Sequence, residues 1–347
     1  MSQKSAILDR ASQWDKICFP VESVPVASFL PEGYSLRASD RARAIVGSME
    51  DDTKHIFAFQ SNDYSLIPNS LLREVAESCL PNHRLDARYN DRGEFNLNLI
   101  LPDEINITSG TASKQVEDRL FKSIILNNSY SGKTPFSLQG TAMKEHRVTE
   151  SGQRMRVSYY REICTNGLMG WADDFMSMDE YLTWLLNGKP TKHKRVEKVK
   201  DAEVVEYSNT SVEREVETLV KRKFHHIGLD LELFKKQLCQ IFRTFSTQAH
   251  GLAVAPTVSV FQKLAATPTP EQLATVLAET GLPKALARAA MERMAYEQQE
   301  LGSEANLWLA YNAVNYSLFN TQTSLSINDR FRIDETAFHK MAELAMK

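Results

Sequence analysis

The chain lacks most of the features that identify common function classes. Its four cysteines stand far apart in sequence and include no Cys-x-x-Cys pair, which argues against a zinc ribbon or a thioredoxin-like redox motif. No apolar run approaches the roughly 18 residues that a membrane-spanning helix needs. The first residues carry charges and contain no apolar core of signal-peptide length. We therefore expect a cytoplasmic protein that makes no membrane contact.

Catalytic motifs are also missing. The sequence contains no His-Glu-x-x-His, no Gly-x-Ser-x-Gly and no Gly-x-x-x-x-Gly-Lys-Ser/Thr. His225 and His226 are adjacent, and adjacent side chains on a helix point about 100° apart, so they do not chelate one metal well. Cys164 is the remaining candidate nucleophile. We predict no catalytic residue, no metal site and no cofactor, and an enzyme that uses Cys164 or a nearby acid is kept as a third hypothesis.

What the chain does contain is enough apolar material for a large core. Its 347 residues are 42% hydrophobic and 24% charged, which is typical of folded globular proteins. The formal net charge is -3, so the whole chain is not a basic nucleic-acid binder. Affinity for phosphate depends on local patches, however, and the distribution of charge therefore decides more than its sum.

Patterning divides the chain into four parts. Residues 1–54 are punctuated by prolines and predict an extended N-terminal arm. Residues 55–186 predict an antiparallel, hairpin-rich sheet with packed helices. Residues 187–211 predict a polar, basic and exposed connection, and residues 212–347 predict a helical region that packs on the sheet. The predicted fold class is α+β.

Local signals place individual elements. Two alternating segments flank Asp91, Arg92 and Gly93, which predicts a β-hairpin. SLLREVAESCL predicts an amphipathic helix with Ser70 as its N-cap. SVEREVETLVKRKF, which starts at Ser211, predicts the first C-terminal helix, although its capping box is incomplete. Further helices are predicted by three- and four-residue apolar spacing, and Gly281 and Pro283 mark the boundary between two of them.

A strongly basic stretch runs from Arg119 to Arg161. It holds eight cations against two acids, a net charge of +6 in a protein that is negative as a whole. Single-stranded nucleic acid is bound by cations that meet phosphates and by rings that stack on bases. The alternative is the solvated face of a hairpin. The residues predicted to contact nucleic acid are Lys122, Lys133, Lys144, Arg147, Arg154, Arg156, Tyr160 and Arg161.

Two further groups have plain alternatives. Five cations between Lys189 and Lys198 either extend the same electrostatic footprint or form a soluble linker, and we favour the linker. Trp308 and the polar residues at 311–316 share a helix face. We favour a core role for them, in which Trp308 is buried and Asn312 caps loop carbonyls or crosses to the sheet.

Three segments, in order, resemble a family of phage- and plasmid-borne proteins classed as a domain of unknown function (number nine hundred and thirty-two). They are SNDY followed by IPN at 61–69, NSYSG at 128–132 with YREICTNGL at 160–168, and LAYNAVNY at 309–316. The middle block is the most specific, because it matches the family's Arg-x-x-Cys-x-Asn-Gly-Leu pattern. Ser131 departs from the family, which usually has aspartate there, and this argues against an acidic ligand or base at that position.

The resemblance implies a gene on a phage, a plasmid or another mobile element, and it brings no established activity. No catalytic residue is therefore carried over. The motif residues are expected to be structural, with Asn-Gly turns and asparagines that bond neighbouring backbone. Arg161 is either a phosphate contact or a buried partner for an acid such as Asp63. The residues assigned to this structural motif are Asn128, Gly132, Cys164, Asn166, Gly167 and Asn312.

Two function hypotheses from different classes lead. The first is a non-enzymatic accessory of phage or plasmid DNA metabolism that binds single-stranded DNA across the sheet of residues 119–161. We expect it to be a homo-oligomer in the manner of strand-annealing proteins, which is an analogy at the level of the fold. The second is an interaction protein that binds and inhibits a host defence or replication protein, which the negative charge and the proline-punctuated arm favour.

Overall fold

The computed structural model shows an α+β protein. Antiparallel sheets dominate its first two thirds and helices dominate the remainder, so the predicted fold class is confirmed. In the part of the chain that the structure describes, no helix combines the length and the apolarity that crossing a bilayer requires. The residues described are 10–37, 41–48, 53–111, 114–132, 134–139, 142–143, 154–155, 157–163, 167–170, 178–186, 191–193, 198–199, 202–208, 217–221, 223–247 and 256–347.

The N-terminal segment forms a helix and a sheet where an extended arm was predicted. Helix α1 (Arg10–Ile17) buries Trp14 and Ile17 in the core. Pro25 ends an edge strand of the sheet, a place where a missing backbone donor is tolerated. The proline-containing segment therefore forms part of a small sheet. This sheet continues past residue 54, where the predicted arm ends. In spatial order this sheet consists of β1 (Val21–Pro25), β2 (Arg43–Ser48) and β3 (Lys54–Gln60).

The largest sheet is built around a long antiparallel hairpin. Its two strands pair from Glu94↔Ser129 to Thr111↔Lys114, with one irregularity after Ile100. Gly93, at φ +71°, lies in the turn that joins the first of these strands to the strand before it, Arg84–Tyr89, and this confirms the hairpin predicted at residues 91–93. The spatial order is β11 (Gly167–Gly170), β10 (Val157–Arg161), β6 (Lys114–Ser129), β5 (Glu94–Thr111) and β4 (Arg84–Tyr89).

Two segments differ from their predictions. The connection predicted at 187–211 contains three strands, and the helix predicted at 211–224 contains two. Val204, Val205 and Tyr207 favour a pleated strand, and residues 217–221 pair with that strand instead of continuing into a helix. The strands not yet given are β7 (Phe136–Gln139), β8 (Ala142–Met143), β9 (Arg154–Met155), β12 (Thr191–His193), β13 (Lys198–Val199), β14 (Ala202–Ser208), β15 (Glu217–Lys221) and β16 (Lys223–Phe224).

The helices follow the apolar periodicity, but one predicted cap is wrong. The helix expected to start after Ser70 begins at Asn69 and has Pro68 at its cap position, without a side-chain hydrogen bond. Gly281 and Pro283 do separate two helices, as predicted. The remaining helices are α2 (Asn69–Cys79), α3 (Met178–Leu186), α4 (Leu231–Thr247), α5 (Pro256–Ala266), α6 (Leu273–Glu279), α7 (Lys284–Leu301), α8 (Leu307–Asn320) and α9 (Ile327–Met346).

An aromatic contact joins the helical region to the sheet. Tyr159 of β10 is buried and meets Phe261 of α5 edge to face, with 5.5 Å between ring centroids. The ring of Phe261 also lies 4.7 Å from that of Trp308 on α8. Buried aromatic pairs of this kind contribute beyond the area that they bury. The C-terminal helices therefore pack on the sheet through these rings.

Candidate functional site

Two of the family-like segments meet in a buried polar cluster. Asn128, at the end of β6, donates from Nδ2 to the carbonyl oxygen of Ile67 and to Oδ1 of Asn69, each at 2.9 Å. The backbone N–H of Asn69 donates to Tyr130 Oη at 2.9 Å. All of these side chains are buried, and buried polar groups need such partners. Asn128 therefore bonds neighbouring backbone, as its assignment to the structural motif predicted.

Tyr64 extends this cluster towards the helical region. Its hydroxyl donates to the carbonyl oxygen of Ser129 at 3.3 Å, and its ring stacks on His226 at 4.7 Å. His226 Nδ1 lies 2.9 Å from the carbonyl oxygen of Ser65. Burial raises the pKa of Tyr64 above its usual range and lowers the pKa of His226. Both groups are therefore neutral at pH 7 and act here as structural members of the cluster.

A groove opens where this cluster reaches the surface. It has a volume of about 580 Å³ and lies between strand β3 and the turns that follow β4 and β6. Gln60 Nε2 of β3 donates to the carbonyl oxygen of Ser131 in the turn after β6 at 3.1 Å. Ser131, the position where the resembled family has aspartate, thus borders the groove. The lining residues are Arg41, His55, Ile56, Phe57, Ala58, Phe59, Gln60, Asp91, Arg92, Ser131 and Gly132.

A β-bulge gives the groove an exposed apolar patch. The register of β3 against β2 skips Phe57, so Ile56 pairs with Val46 while Phe59 pairs with Ala44. Cross-strand partners share a face, and Val46 and Ala44 are two residues apart, so Ile56 and Phe59 lie on one face. Each of them is 48% exposed. Two large apolar side chains are thus presented side by side at the edge of the sheet.

Phe57 points the other way and supports this strand from within. Its ring lies 6.0 Å from that of Phe19 and 5.6 Å from that of Tyr130. Gly93 and Gly47 both come close to the Phe57 ring, so a Cβ at either position would overlap it. The bulged residue is therefore anchored in the same cluster that holds Asn128 and Asn69.

The ionisable side chains of the groove are mostly basic. Arg41, Arg92 and His55 line it, against the single carboxylate of Asp91. The backbone N–H of Arg92 is held by Asn90 Oδ1 at 3.1 Å, which fixes the turn that carries the guanidinium. Exposed aromatic and apolar surface beside guanidinium groups can hold a planar ring and an anion at once.

Two residues predicted to contact nucleic acid lie in the interior instead. Lys122 on β6 is 2% exposed and Arg161 on β10 is 0% exposed. Neither side chain reaches a ligand bound at the surface, so their assignment as nucleic-acid contacts is corrected. Both faces of β6 are covered along residues 120–130, a tertiary effect that the count of cations along the sequence does not register.

Arg161 holds together a buried ionic cluster. Its Nε donates to Asp118 Oδ2 at 2.6 Å, and its Nη1 donates to Glu297 Oε2 at 2.5 Å. Trp308 Nε1 donates to the same Asp118 oxygen at 2.8 Å, and Arg293 Nε donates to Glu297 Oε1 at 2.8 Å. Of the two predicted alternatives for Arg161, the structure shows the buried partner of acids, and the acids are Asp118 and Glu297, not Asp63.

The other predicted contacts are placed as follows. Tyr160 is half-buried on β10, where it pairs with Phe121 and Gly167. Arg154 lies in the short strand β9, which pairs with β8. The residues that fall outside the described part of the chain are Lys133, Lys144, Arg147, Arg156, Cys164 and Asn166.

The motif residues on α8 and β11 have structural positions. Gly167 begins β11. Trp308 is buried as predicted, while Asn312 donates to the carbonyl oxygen of Trp308 at 2.7 Å within its own helix. Asn312 was expected to cap loop carbonyls or cross to the sheet, and that expectation is wrong. Gly132 adopts φ +68° beside the groove.

The groove was not found from the sequence. Arg41, Phe59 and Arg92 belong to three separate segments, and the bulge at Phe57 carries no sequence signal. His225 is exposed while His226 is buried, and within the described ranges no group of three or more metal-ligating side chains is gathered.

No family model, no curated protein and no solved structure matches the chain. The resemblance to a phage and plasmid family therefore stays a prediction.

Proposed function

We propose that this protein binds single-stranded DNA in the groove beside β3. It would do so as a non-enzymatic accessory of phage or plasmid DNA metabolism in the cytoplasm of its host. The proposal rests on one observation. The exposed ring of Phe59 lies in the same groove as the guanidinium groups of Arg41 and Arg92.

The dimensions and chemistry of the groove support this ligand. A volume of about 580 Å³ lies within the usual range for sites that enclose a small organic ligand, and one or two nucleotides are of that size. A base that stacks on Phe59 contributes without regard to its identity, because every base has a π-face. Arg41 and Arg92 supply charge for the backbone phosphates. Sequence-tolerant binding is therefore expected.

The proposed surface differs from the one that the sequence favoured. Lys122 and Arg161 leave the set of contacts because they are buried. Lys133, Lys144, Arg147, Arg154 and Arg156 stay predicted contacts, and Lys133 directly follows Gly132 of the groove in sequence.

The test is fluorescence anisotropy of a labelled single-stranded oligonucleotide, titrated with the protein at two salt concentrations. Phe59→Ala should weaken binding by about 5-fold to about 150-fold, because base–aromatic stacking contributes about 1–3 kcal/mol per base. Arg92→Ala should weaken binding and lower the slope of log K against log salt by about 0.7, since one phosphate contact is lost.

Matched controls lie on exposed helical positions outside the groove. Leu233→Ala removes an exposed apolar side chain from α4, and Arg332→Ala removes an exposed guanidinium from α9. Both should bind like the unaltered protein. Equal affinities for Phe59→Ala and Leu233→Ala would contradict the groove as the binding site. Loss of binding confined to Arg154→Ala with Arg156→Ala would move the site to the basic stretch.

Strand annealing by a homo-oligomer is the finer form of this proposal. Mixing two complementary labelled oligonucleotides with the protein should accelerate duplex formation, and light scattering should give a mass that is a multiple of the 39.3 kDa chain. A monomer that binds single strands without accelerating annealing would restrict the function to single-strand binding.

A second candidate function is binding to a host protein. Among the described strands β3 pairs only with β2, so its other edge offers backbone donors and acceptors beside Ile56 and Phe59. An extended peptide can add to such an edge. Pull-down from nuclease-treated host lysate should then recover a stoichiometric protein, and Ile56→Lys should abolish recovery. Recovery that depends on added DNA would favour the first function.

A further inference from the structure

His83 joins helix α1 to the turn that follows α2. Its Nδ1 lies 2.6 Å from the carbonyl oxygen of Leu80, and its Nε2 lies 3.3 Å from Trp14 Nε1 of α1. A carbonyl oxygen only accepts a hydrogen bond, and an indole N–H only donates one. His83 is therefore a neutral imidazole that carries its proton on Nδ1 and accepts from Trp14 at Nε2.

A second proton on His83 would break this contact. It would occupy Nε2 and face the indole N–H, so that two donors would meet. Trp14 is 0% exposed and His83 is 2% exposed, and the charged imidazole would therefore also lose its hydration. Protonation of His83 and the docking of α1 oppose each other.

The charges around His83 set the direction of this effect. Burial lowers the pKa of His83 below 6.5, and Arg10 of α1 lowers it further, while the bond to Leu80 and Glu77 of α2 raise it. When α1 is detached, the pKa returns to its ordinary value. Docking is therefore strongest above about pH 6.5, and it weakens as pH falls below that value, by up to about tenfold per pH unit.

Helix α1 also supports the groove beside β3. Asn69 Nδ2, in the buried polar cluster, donates to the carbonyl oxygen of Ile17 at 3.0 Å. Two residues after Ile17, the ring of Phe19 lies 6.0 Å from that of Phe57. Phe57 is the bulged residue that brings Phe59 to the groove face of β3. Contacts between buried groups thus lead from α1 to the groove.

We propose that protonation of His83 detaches α1 and thereby weakens ligand binding in the groove. Detachment withdraws Phe19 from Phe57, so the bulge loses part of its support. The ion pair between Asp15 and Arg73 also holds α1, but it lies at the surface, where such pairs contribute little. The effect on the ligand rests on the proposed function, whereas the detachment of α1 does not.

Hydrogen–deuterium exchange of the purified full-length protein tests the detachment. Exchange is measured at pH 5, 6, 7 and 8 and corrected for its intrinsic rate. The protection of residues 14–18 should be about tenfold lower at pH 5 than at pH 7, and β3 should lose protection with them. Unchanged protection of α1 would overturn the proposal. An equal loss in α7 would also overturn it, because the whole protein would then be unfolding.

Variants assign the effect to His83. His83→Gln does not titrate and its Oε1 can accept from Trp14, so the protection of α1 should be equal at pH 5 and pH 7. His55→Gln is the matched control, because His55 is exposed and lines the groove, and it should keep the pH dependence. A pH dependence that persists in His83→Gln would overturn the proposal.

The imidazole itself gives a measurement that needs no variant. Nitrogen NMR of the unaltered protein at pH 7 should show a neutral His83 with its proton on Nδ1. This spectrum decides the matter even where His83→Gln does not fold. A charged ring, or a proton on Nε2, would overturn the proposal.

Fluorescence anisotropy of a labelled single-stranded oligonucleotide at pH 5.5 and pH 7.5 tests the effect on the groove. The unaltered protein and His55→Gln should bind more weakly at pH 5.5, and His83→Gln should not. An equal loss of affinity in His83→Gln would overturn the link from His83 to the groove. Absence of binding at both pH values would contradict the proposed function, and the exchange of β3 would then decide whether α1 supports the groove.

Discussion

Arg161 Nε donates to Asp118 Oδ2 at 2.6 Å, and both side chains are shielded from water. Glu297 accepts a second hydrogen bond from Arg161 and is balanced by Arg293, and Trp308 donates to Asp118 from α8. The pair therefore joins the central sheet to two C-terminal helices. A buried pair of this kind is tolerated only while both partners are present, because a lone charge in the interior is costly.

Arg161→Ala should destabilise the protein by about 3–5 kcal/mol, since it leaves the buried Asp118 without its cation and leaves the buried Glu297 with Arg293 alone. Denaturation in urea measures the free energy of unfolding. Arg119→Ala is the control on the same sheet, because Arg119 is half-exposed and pairs with Glu104 at the surface. Its loss should change stability by less than about 1 kcal/mol. Equal effects of the two substitutions would contradict the buried role of Arg161.

Asp334→Asn should remove a loss of stability that occurs as pH rises from about 4 to about 7. Asp334 is buried on α9, where it accepts hydrogen bonds from Asn315 and Tyr311. Burial raises its pKa from 3.8 to about 7, so the folded state holds a proton that the unfolded state releases between these values. The contribution of this group to stability is therefore present below about pH 4 and is lost as pH rises towards 7.

Urea denaturation at pH 5, 6, 7 and 8 measures this effect. The free energy of unfolding of the variant, relative to that of the unaltered protein, should rise by a few kcal/mol between pH 5 and pH 7. The expected rise is about 1.4 kcal/mol for each pH unit. The amide still accepts from Asn315, so folding at pH 5 should be retained. Parallel pH profiles for the two proteins would show that Asp334 does not titrate in the folded state as described.

Asn128→Ala should destabilise the protein by about 2–3 kcal/mol. The substitution leaves the buried carbonyl oxygen of Ile67 and the side chain of Asn69 without their donor. Asn96→Ala is the control, because Asn96 is half-buried and bonds only the side chain of Asn127 in the neighbouring strand. A smaller loss, about 1 kcal/mol, is expected there. Thermal denaturation of both variants tests whether the cluster beside the groove is structural.

Gly132→Ala should cost about 1–2 kcal/mol and narrow the groove. Gly132 has φ +68°, and an added Cβ would overlap Gln60 Nε2, which displaces that side chain from Ser131. Gly281→Ala isolates the backbone strain, since Gly281 has φ +80° and open space around it. The additional loss of stability in Gly132→Ala, beyond that in Gly281→Ala, measures the cost of the overlap with Gln60. Identical losses would mean that Gln60 moves aside freely.

The parts of the fold that sequence predicted are those with local causes. Gly93 permits the turn that closes the β4–β5 hairpin, and regular apolar spacing produces α4 and the helices after it. Residues 211–224 have the composition of a helix as well as of a strand. The partner β14 decides between them, and that pairing is a tertiary contact that no local window contains.

The candidate site was less predictable for a related reason. Charge along the sequence gives the number of cations but not their exposure, so Lys122 and Arg161 counted equally with residues at the surface. Strict alternation along β3 would place Ile56 and Phe59 on opposite faces. The bulge at Phe57 brings them together, and its cause lies in Phe19 and Tyr130, which belong to other parts of the chain.

The ionic cluster around Arg161 also imposes an order on biosynthesis. Asp118 and Arg161 leave the ribosome well before Glu297, and at about 5–20 residues per second the wait is on the order of 10 s. During that interval the nascent sheet carries a charge pair that lacks its second carboxylate and the Trp308 indole. The central sheet therefore reaches its final burial only when the last third of the chain has been made, and messages truncated before that point should yield protein that is degraded.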